Sequence, residues 1–227
     1  MIKPILFSTP MVQAILRGEK TVTRRLISPQ HLRVLESPYR KENPDVEDAT
    51  LLTKLCLPPY SVGDTLYVRE AWAVAYDVAG FPGGVAMAGA PQYVYRADGA
   101  DGLKWRPSIH MPKAAARVFL RVTDVRAEQL QESFFCHGAT VRNLAAEGID
   151  IGDQCRECIE TYGSPCCVDA ESECGILDDV RDDFEKLWNS TINPADLSRY
   201  GWAADPWVWA NSFERLTDDE TRELVLT

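Results

Sequence analysis

The sequence predicts an α+β protein whose centre is a small, mostly antiparallel β-barrel with helices packed on it. Short runs rich in β-branched and aromatic residues recur at 4–7, 21–27, 65–69, 92–95, 117–125 and 206–213, and such runs are typical of strands. Helical periodicity is confined to fewer segments, at 9–17, about 138–147 and about 178–189. Strands therefore outnumber helices. The chain also carries no Gly-rich phosphate loop or dinucleotide fingerprint, which disfavours a doubly wound sheet.

The first predicted helix is marked at both ends. Ser8 or Thr9 can cap it, and Pro10 stands at the first helical position. An apolar stripe follows, formed by Met11, Val12, Ile15 and Leu16. Gly18 then supplies the residue that most readily adopts the left-handed conformation at a helix C-terminus.

A polar cluster follows this helix directly, in the order Lys20-Thr21-Val22-Thr23-Arg24-Arg25. A hydroxyl close to an amine that can lose its proton is the minimum equipment for nucleophilic acyl transfer. Because the cluster follows a rigid helix, its side chains can be held in fixed positions, as a catalytic site requires. The alternative interpretation is a solvated surface, since charged residues after a helix are usually exposed.

Turn residues separate the later strands, with Gly63-Asp64 before one and Asp98-Gly99 after another. Three stretches are typical of insertions: 28–59 is polar with scattered prolines, 79–91 is rich in Gly, Ala and Pro, and 150–177 holds five of the seven cysteines. We therefore expect one domain over 1–215 that carries these three insertions, followed by a C-terminal tail over 216–227.

The charge distribution bears on the class of ligand. The net charge of −10 over 227 residues argues against a protein that coats long stretches of nucleic acid, because polyanion binding requires phosphate neutralisation. Two segments are nevertheless basic: 1–41 has eight Lys/Arg against two Glu, and 103–126 has six against one Asp. In contrast, 147–185 holds thirteen acidic residues against two Arg. The basic segments can line one anion-tolerant cleft, or they can be dispersed over the surface.

The apolar segments predict neither a membrane span nor a signal peptide. No apolar run approaches the roughly 18 residues that cross a bilayer, and the start, Met1 to Phe7, contains a proline where a hydrophobic region is expected. We expect a cytoplasmic protein without a membrane partner. An odd number of mostly clustered cysteines suits reduced thiols or a metal better than a disulfide framework.

The clustered cysteines have the knuckle-like spacing of a structural zinc site. The candidate ligands are Cys155, Cys158, Cys166 or Cys167, and Cys174. Four thiolates would leave no open position for water, so such a zinc would be structural. Two alternatives stay open: an acidic loop with unligated thiols, and competing ligands at Cys136 and His137.

Several motifs in a fixed order resemble the ASCH domain. They are the helix, Gly18 to Arg24, Gly63 to Val68, the strand Phe119 to Val125, Ala145 to Gly148 and Trp207-Val208-Trp209. The segment Trp105 to Lys113 resembles the longer ASCH proteins common in phages and prophages. The resemblance covers about two thirds of the chain, and it implies a PUA-like β-barrel with a cleft that recognises RNA or modified nucleosides.

One ASCH branch, the small bacterial N(4)-acetylcytidine amidohydrolases, carries a Lys, a Thr three residues later and a Glu in the helix after the long strand. Lys20, Thr23 and Glu147 match these positions. The resemblance implies that Thr23 is the nucleophile, Lys20 its base, and Glu147 either an orienting group or a proton donor. Positions 20 and 23 of a regular strand face opposite sides, so Lys20 must belong to the turn after Gly18 for both groups to reach one cleft.

Further residues are candidates for substrate binding. Arg24 and Arg25 can supply a positive field that lowers the pKa of Lys20. Glu70 is a rival carboxylate, which can bind a pyrimidine edge or form a salt bridge with Arg69. The candidates for stacking and phosphate contacts are Trp105, His110 and Lys113, with structural roles in the core as the alternative for Trp105 and His110.

Three functions are compatible with these features. The leading hypothesis is an amidohydrolase that converts N(4)-acetylcytidine to cytidine and acetate, with no cofactor for catalysis and no protein partner. The alternative is a module that binds RNA or a modified nucleobase without chemistry, and the third is a nuclease, for which no carboxylate pattern for metal binding is evident.

Overall fold

The computed structural model describes residues 1–74, 93–99, 103–134, 137–152, 156–157 and 176–226. The predicted insertion at 79–91 and most of the one at 150–177 lie outside the described residues, as do all five cysteines of the candidate zinc site.

Among the described residues, the strands form one mixed sheet of five and a separate pair. They are β1 (Ile2–Leu6), β2 (Val22–Leu26), β3 (Thr65–Arg69), β4 (Trp72–Val74), β5 (Tyr93–Tyr95), β6 (Phe119–Gln129) and β7 (Trp207–Arg215). The five-stranded sheet has the order β1-β3-β6-β7-β2, and β4 pairs with β5. β1 runs parallel to β3, whereas β3 pairs antiparallel with β6 and β2 pairs antiparallel with β7.

This arrangement confirms the α+β class and the positions of the predicted strands to within a few residues. The sheet is mixed, because the β1–β3 pair is parallel. The two edge strands of this sheet are β1 and β2, and the order of the described strands contains no pairing between them that would close the sheet into a barrel. The closure into a PUA-like barrel therefore stays a prediction.

The helices among the described residues are α1 (Thr9–Leu16), α2 (Pro29–Leu32), α3 (Pro38–Glu42), α4 (Asp48–Leu55), α5 (His137–Ala146), α6 (Ile176–Ser190), α7 (Leu197–Tyr200) and α8 (Asp218–Leu226). α1, α5 and α6 fall where the periodicity predicts them. The segment 28–59, expected as an insertion, folds into three helices, and α4 buries Leu51 and Leu52. Ser28 and Ser37 each cap a short helix that begins with proline. The expected tail holds α8.

The residue contacts divide the chain into two compact units. Unit 1 comprises Met1–Gly18, Val62–Val122 and Phe213–Thr227, and unit 2 comprises Glu19–Ser61 and Thr123–Ser212. In unit 1, one core cluster contains Trp72, Val74, Met111 and Ala115. In unit 2, one cluster is built around Phe134, Phe184, Trp188 and Trp202, and a second around Ile27, Leu52 and Trp209. The prediction of a single domain over 1–215 stays a prediction.

The described helices include none with the length and apolar character needed to cross a membrane.

Candidate active site

Lys20 lies in unit 2, between α1 and β2, and is almost completely buried. Its Nζ donates to the Glu147 carboxylate at 2.7 Å, to the Glu147 backbone carbonyl at 2.6 Å and to the Val22 carbonyl at 2.8 Å. The Thr21 amide donates to the Ala146 carbonyl at 2.8 Å, which fixes the start of β2 against the end of α5. These contacts use the three donors of an ammonium group.

Glu147 is held by the way α5 ends. Gly148 adopts φ +82°, a conformation that is inexpensive for glycine. Its amide bonds the Ala145 carbonyl at 2.8 Å, and the Ile149 amide bonds the Leu144 carbonyl at 3.1 Å. This pair of bonds is the Schellman motif. It stops the helix immediately after Glu147, and the partial negative charge of the helix end favours a cation beside it.

The ion pair is part of a longer network, which is buried at Arg24 and Glu128 and reaches the surface at Arg126 and Asp124. Arg24 donates to Glu147 Oε1 through Nη1 and to Glu128 Oε1 through Nε, both at 2.7 Å. Arg126 donates to the other Glu128 oxygen at 2.8 Å and to Asp124 at 3.0 Å. Positive and negative groups alternate along this chain of contacts. Each of the two buried carboxylates is therefore compensated by two cations, as interior charges require.

Two opposing effects set the protonation of Lys20. Burial lowers the pKa of its ammonium, Glu147 acts in the opposite direction, and the nearby charges of Arg25 and Arg24 lower it further; the net pKa is lowered. Burial raises the pKa of Glu147, but Lys20 and Arg24 outweigh this effect and lower it. Glu147 is therefore a charged group at neutral pH, which favours an orienting role over that of a proton donor.

Thr23 lies on β2 beside this network. It pairs with Asn211 of β7, while Arg24 pairs with Ala210. Because successive strand residues point to opposite faces, the side chains of Thr23 and Arg24 lie on opposite faces of β2. The Thr23 side chain thus shares a face with Arg25 and Asn211.

Lys20 is nevertheless next to the backbone of Thr23. Its Nζ binds the carbonyl of Val22, which belongs to the peptide unit that leads into Thr23. Arg25, on the face of Thr23, lowers the pKa of Lys20 more than Arg24 does. Among the described residues the Thr23 hydroxyl has no hydrogen-bond partner. Lys20 precedes the regular strand, which is the condition that its spacing from Thr23 sets for a shared cleft. It contacts Glu147 directly but not the Thr23 hydroxyl.

Glu70 forms an ion pair in unit 1. Its carboxylate accepts from Arg117 at 2.9 and 3.2 Å, and Arg117 also binds Asp98 at 2.8 Å. The guanidinium of Arg117 stacks over Tyr95 at 4.0 Å. A salt bridge was one of the predicted interpretations, but its partner is Arg117 rather than Arg69. Arg69 instead donates to the backbone carbonyls of Ile109 and Met111.

The remaining predicted binding residues are also in unit 1. Trp105 is partly buried, and His110 and Lys113 are exposed. The predicted zinc ligands lie outside the described residues, so the zinc site stays a prediction. Within the described part of the chain, no cluster of three or more His, Cys, Asp or Glu side chains is arranged to hold a metal ion.

Sequence reasoning missed Glu128 and Asn211. Both are buried polar side chains, with 5% and 0% exposure. The usable signal for Asn211 was a lone amide inside the apolar run Trp207 to Phe213. The signal for Glu128 was weaker, since the alternate positions of β6 also carry charges, at the exposed Asp124 and the half-buried Arg126.

The comparisons with known proteins add little. The chain matches no protein-family model, and no curated protein is similar to it in sequence. A search of solved structures finds an ASCH domain from Lactobacillus crispatus JV V101, with 12% identity and a TM-score of 0.34, covering 94% of this chain and 79% of that chain. At this identity and TM-score the likeness carries no argument about this chain.

Proposed function

We propose that this protein is an amidohydrolase of ASCH type that removes the acyl group from N(4)-acylated cytosine nucleosides. The observation that carries the proposal is the buried Lys20–Glu147 pair with a lowered lysine pKa, placed on the peptide unit that precedes Thr23. The sequence motif Gly18 to Arg24 and the position of Glu147 support it through their resemblance to the amidohydrolase branch.

In the proposed reaction, Thr23 Oγ1 attacks the acyl carbonyl carbon while neutral Lys20 accepts the hydroxyl proton. The bond between that carbon and N4 then breaks. N4 leaves as the amine of cytidine with the proton carried by Lys20. Water hydrolyses the threonine ester and releases acetate. Glu147 keeps Lys20 in place throughout, because its carboxylate and its backbone carbonyl both accept from Nζ.

The geometry requires one rearrangement. The Lys20 ammonium donates to three acceptors, so Nζ must lose a proton and give up one of these contacts before it can accept from Thr23. The hydrogen bond between a catalytic base and its nucleophile is often long in ligand-free enzymes and tightens when substrate binds. Nζ starts beside the Val22–Thr23 peptide unit, and the proposal requires a change of the Lys20 side chain that brings Nζ to the Thr23 hydroxyl.

A second candidate function is favoured by the same three contacts. A fully satisfied ammonium has no lone pair, and this suits a module that binds a modified nucleobase without reacting with it. The two functions differ in one observable, since only the enzyme releases cytidine.

The test is incubation of the purified chain with N(4)-acetylcytidine from pH 6 to pH 10, with chromatography for cytidine. We expect release that is insensitive to salt, because the nucleoside is uncharged, whereas RNA binding would weaken steeply with salt. Saturable binding of the nucleoside without cytidine release across this range would contradict the proposal and favour the binding module.

A further inference from the structure

Asn211 is a wholly buried amide with one oxygen that no contact explains. Its Nδ2 donates to the Trp209 carbonyl at 3.0 Å and to the Thr23 carbonyl at 3.3 Å. Its Oδ1 is buried and accepts no hydrogen bond from the described part of the chain. Because both neighbours of Nδ2 are carbonyl oxygens, which only accept, the amide cannot be turned round.

The position of this oxygen matters because of the strand register. Asn211 and Thr23 are directly opposite each other on β7 and β2, so their side chains lie on one face about 5 Å apart at Cβ. Arg25 belongs to the same face, and its charge reaches both Lys20 and the phenol of Tyr60. One face of β2 and β7 therefore carries a hydroxyl, a cation and an unpaired acceptor.

A buried acceptor without a partner is destabilising, and native structures rarely keep one without a reason. The complementary ligand group is a hydrogen-bond donor, such as an N–H. N(4)-acylcytosine carries one such donor, on the nitrogen of the bond to be cleaved, with the ring acceptors N3 and O2 beside it.

We infer that Asn211 recognises the exocyclic N4–H of the cytosine base through Oδ1, and thereby places the N4 substituent next to the Thr23 hydroxyl. This inference rests on the proposed function and names the residue that selects cytosine over uracil. Asn211 is a positioning residue for the reaction and a direct contact for the base. Uracil presents an acceptor, O4, where cytosine presents N4–H, so it would face Oδ1 with a second acceptor.

The test compares the binding of cytidine and uridine, which have nearly the same shape, by calorimetry on the full chain. We expect the wild type to bind cytidine roughly 10- to 100-fold more tightly, as one unpaired buried acceptor predicts. In Asn211→Leu, which keeps the branching at Cγ but has methyl groups in place of Oδ1 and Nδ2, the ratio should fall to about 1. Asn211→Ala serves as a second variant if leucine prevents folding. The control is Ser212→Ala, the adjacent residue, whose side chain points to the other face.

The ratio separates recognition from a structural role, because loss of stability weakens both ligands equally. A wild type that binds the two nucleosides equally, or binds neither, overturns the inference, and so does a cytidine preference that survives Asn211→Leu. If Oδ1 only binds an internal water, the measurement will show one of these results and the inference fails. If the preference depends on Asn211 but N(4)-acetylcytidine is not hydrolysed, the inference holds and the proposed enzyme activity fails. The reverse pattern, turnover without a role for Asn211, overturns the inference alone.

Discussion

Replacing Glu147 by Gln removes the charge that lies between two buried cations. Glu147 accepts from Lys20 and from Arg24 at 2.7 Å, and its side chain is 5% exposed. Breaking a buried ion pair in this way costs about 3–5 kcal/mol. Because Gln keeps one oxygen that can accept, we expect the lower end, about 3 kcal/mol, or a melting temperature lower by roughly 6–12 °C for a chain of this length.

The same change alters the pH dependence of turnover. Glu147 raises the pKa of Lys20 against the lowering effect of burial. Without the carboxylate, the pKa of Lys20 falls further, so the rise of kcat/KM with pH moves to lower pH in Glu147→Gln. The wild-type rise should already lie below the ordinary lysine value of about 10.4.

The matched control is Glu128→Gln. Glu128 shares Arg24 with Glu147 but does not contact Lys20, and Arg24 and Arg126 each keep another carboxylate. We expect a smaller loss of stability and no displacement of the pH profile. An unchanged profile in Glu147→Gln, or an equal displacement in both variants, would refute the electrostatic argument.

The pH dependence of stability tests whether folding lowers the pKa of Glu147. The pKa of Glu147 is lowered in the folded state, so its charge stabilises the fold above the unfolded value of about 4.3 and this contribution is lost as the pH falls through the folded value. By urea denaturation, the difference in the free energy of unfolding between wild type and Glu147→Gln should therefore shrink below about pH 4.3. It should be constant from there up to the pH at which Lys20 begins to lose its proton. A difference that grows in acid would contradict the assignment.

Three further predictions follow from the site and the chain around it. Lys20→Arg should abolish turnover, since a guanidinium stays protonated and cannot act as a base; a working variant would show that Lys20 only supplies charge. Gly148→Ala, at φ +82°, should cost about 1–2 kcal/mol in urea denaturation and leave the pH profile in place, and a neutral effect would contradict the role of the helix stop. Elemental analysis should find about one zinc per chain, and a chelator should lower the melting temperature. The reason is that the cysteine-rich segment has too few apolar residues to fold by burying them, so that its order requires a cross-link such as a metal ion. Metal-free protein with unchanged stability would eliminate the zinc site.

The predicted parts of the fold are those marked by local signals. Pro10 and Gly18 bracket α1 within one or two residues, and the aromatic and β-branched runs locate most strands. α4 was not predicted, because the scattered prolines of 28–59 are typical of a loop, whereas the structure buries Leu51 and Leu52 of this segment on a helix. Proline is common in the first turn of a helix, and the segment uses it in that way twice.

The site was predicted only in part, because most of its contacts join residues that are far apart in the sequence. Lys20 and Glu147 were identified together only through the family resemblance, because 127 positions separate them. The second cation on Glu147 and the pairing of Glu128 with Arg24 depend on which strands are neighbours, and periodicity does not determine strand order. The unpaired state of Asn211 Oδ1 could not be predicted at all, since the neighbours of this oxygen depend on the register between β2 and β7.

The role of Thr23 is tested most directly by comparing the wild type with Thr23→Val, which keeps the branched shape and removes the hydroxyl. Because that hydroxyl makes no hydrogen bond within the described part of the chain, the melting temperature should hardly change. With N(4)-acetylcytidine, we expect the wild type to release cytidine and acetate and to show an acetyl group on the peptide containing Thr23 by mass spectrometry after rapid quenching. Thr23→Val should show neither. Full turnover by Thr23→Val would contradict the account.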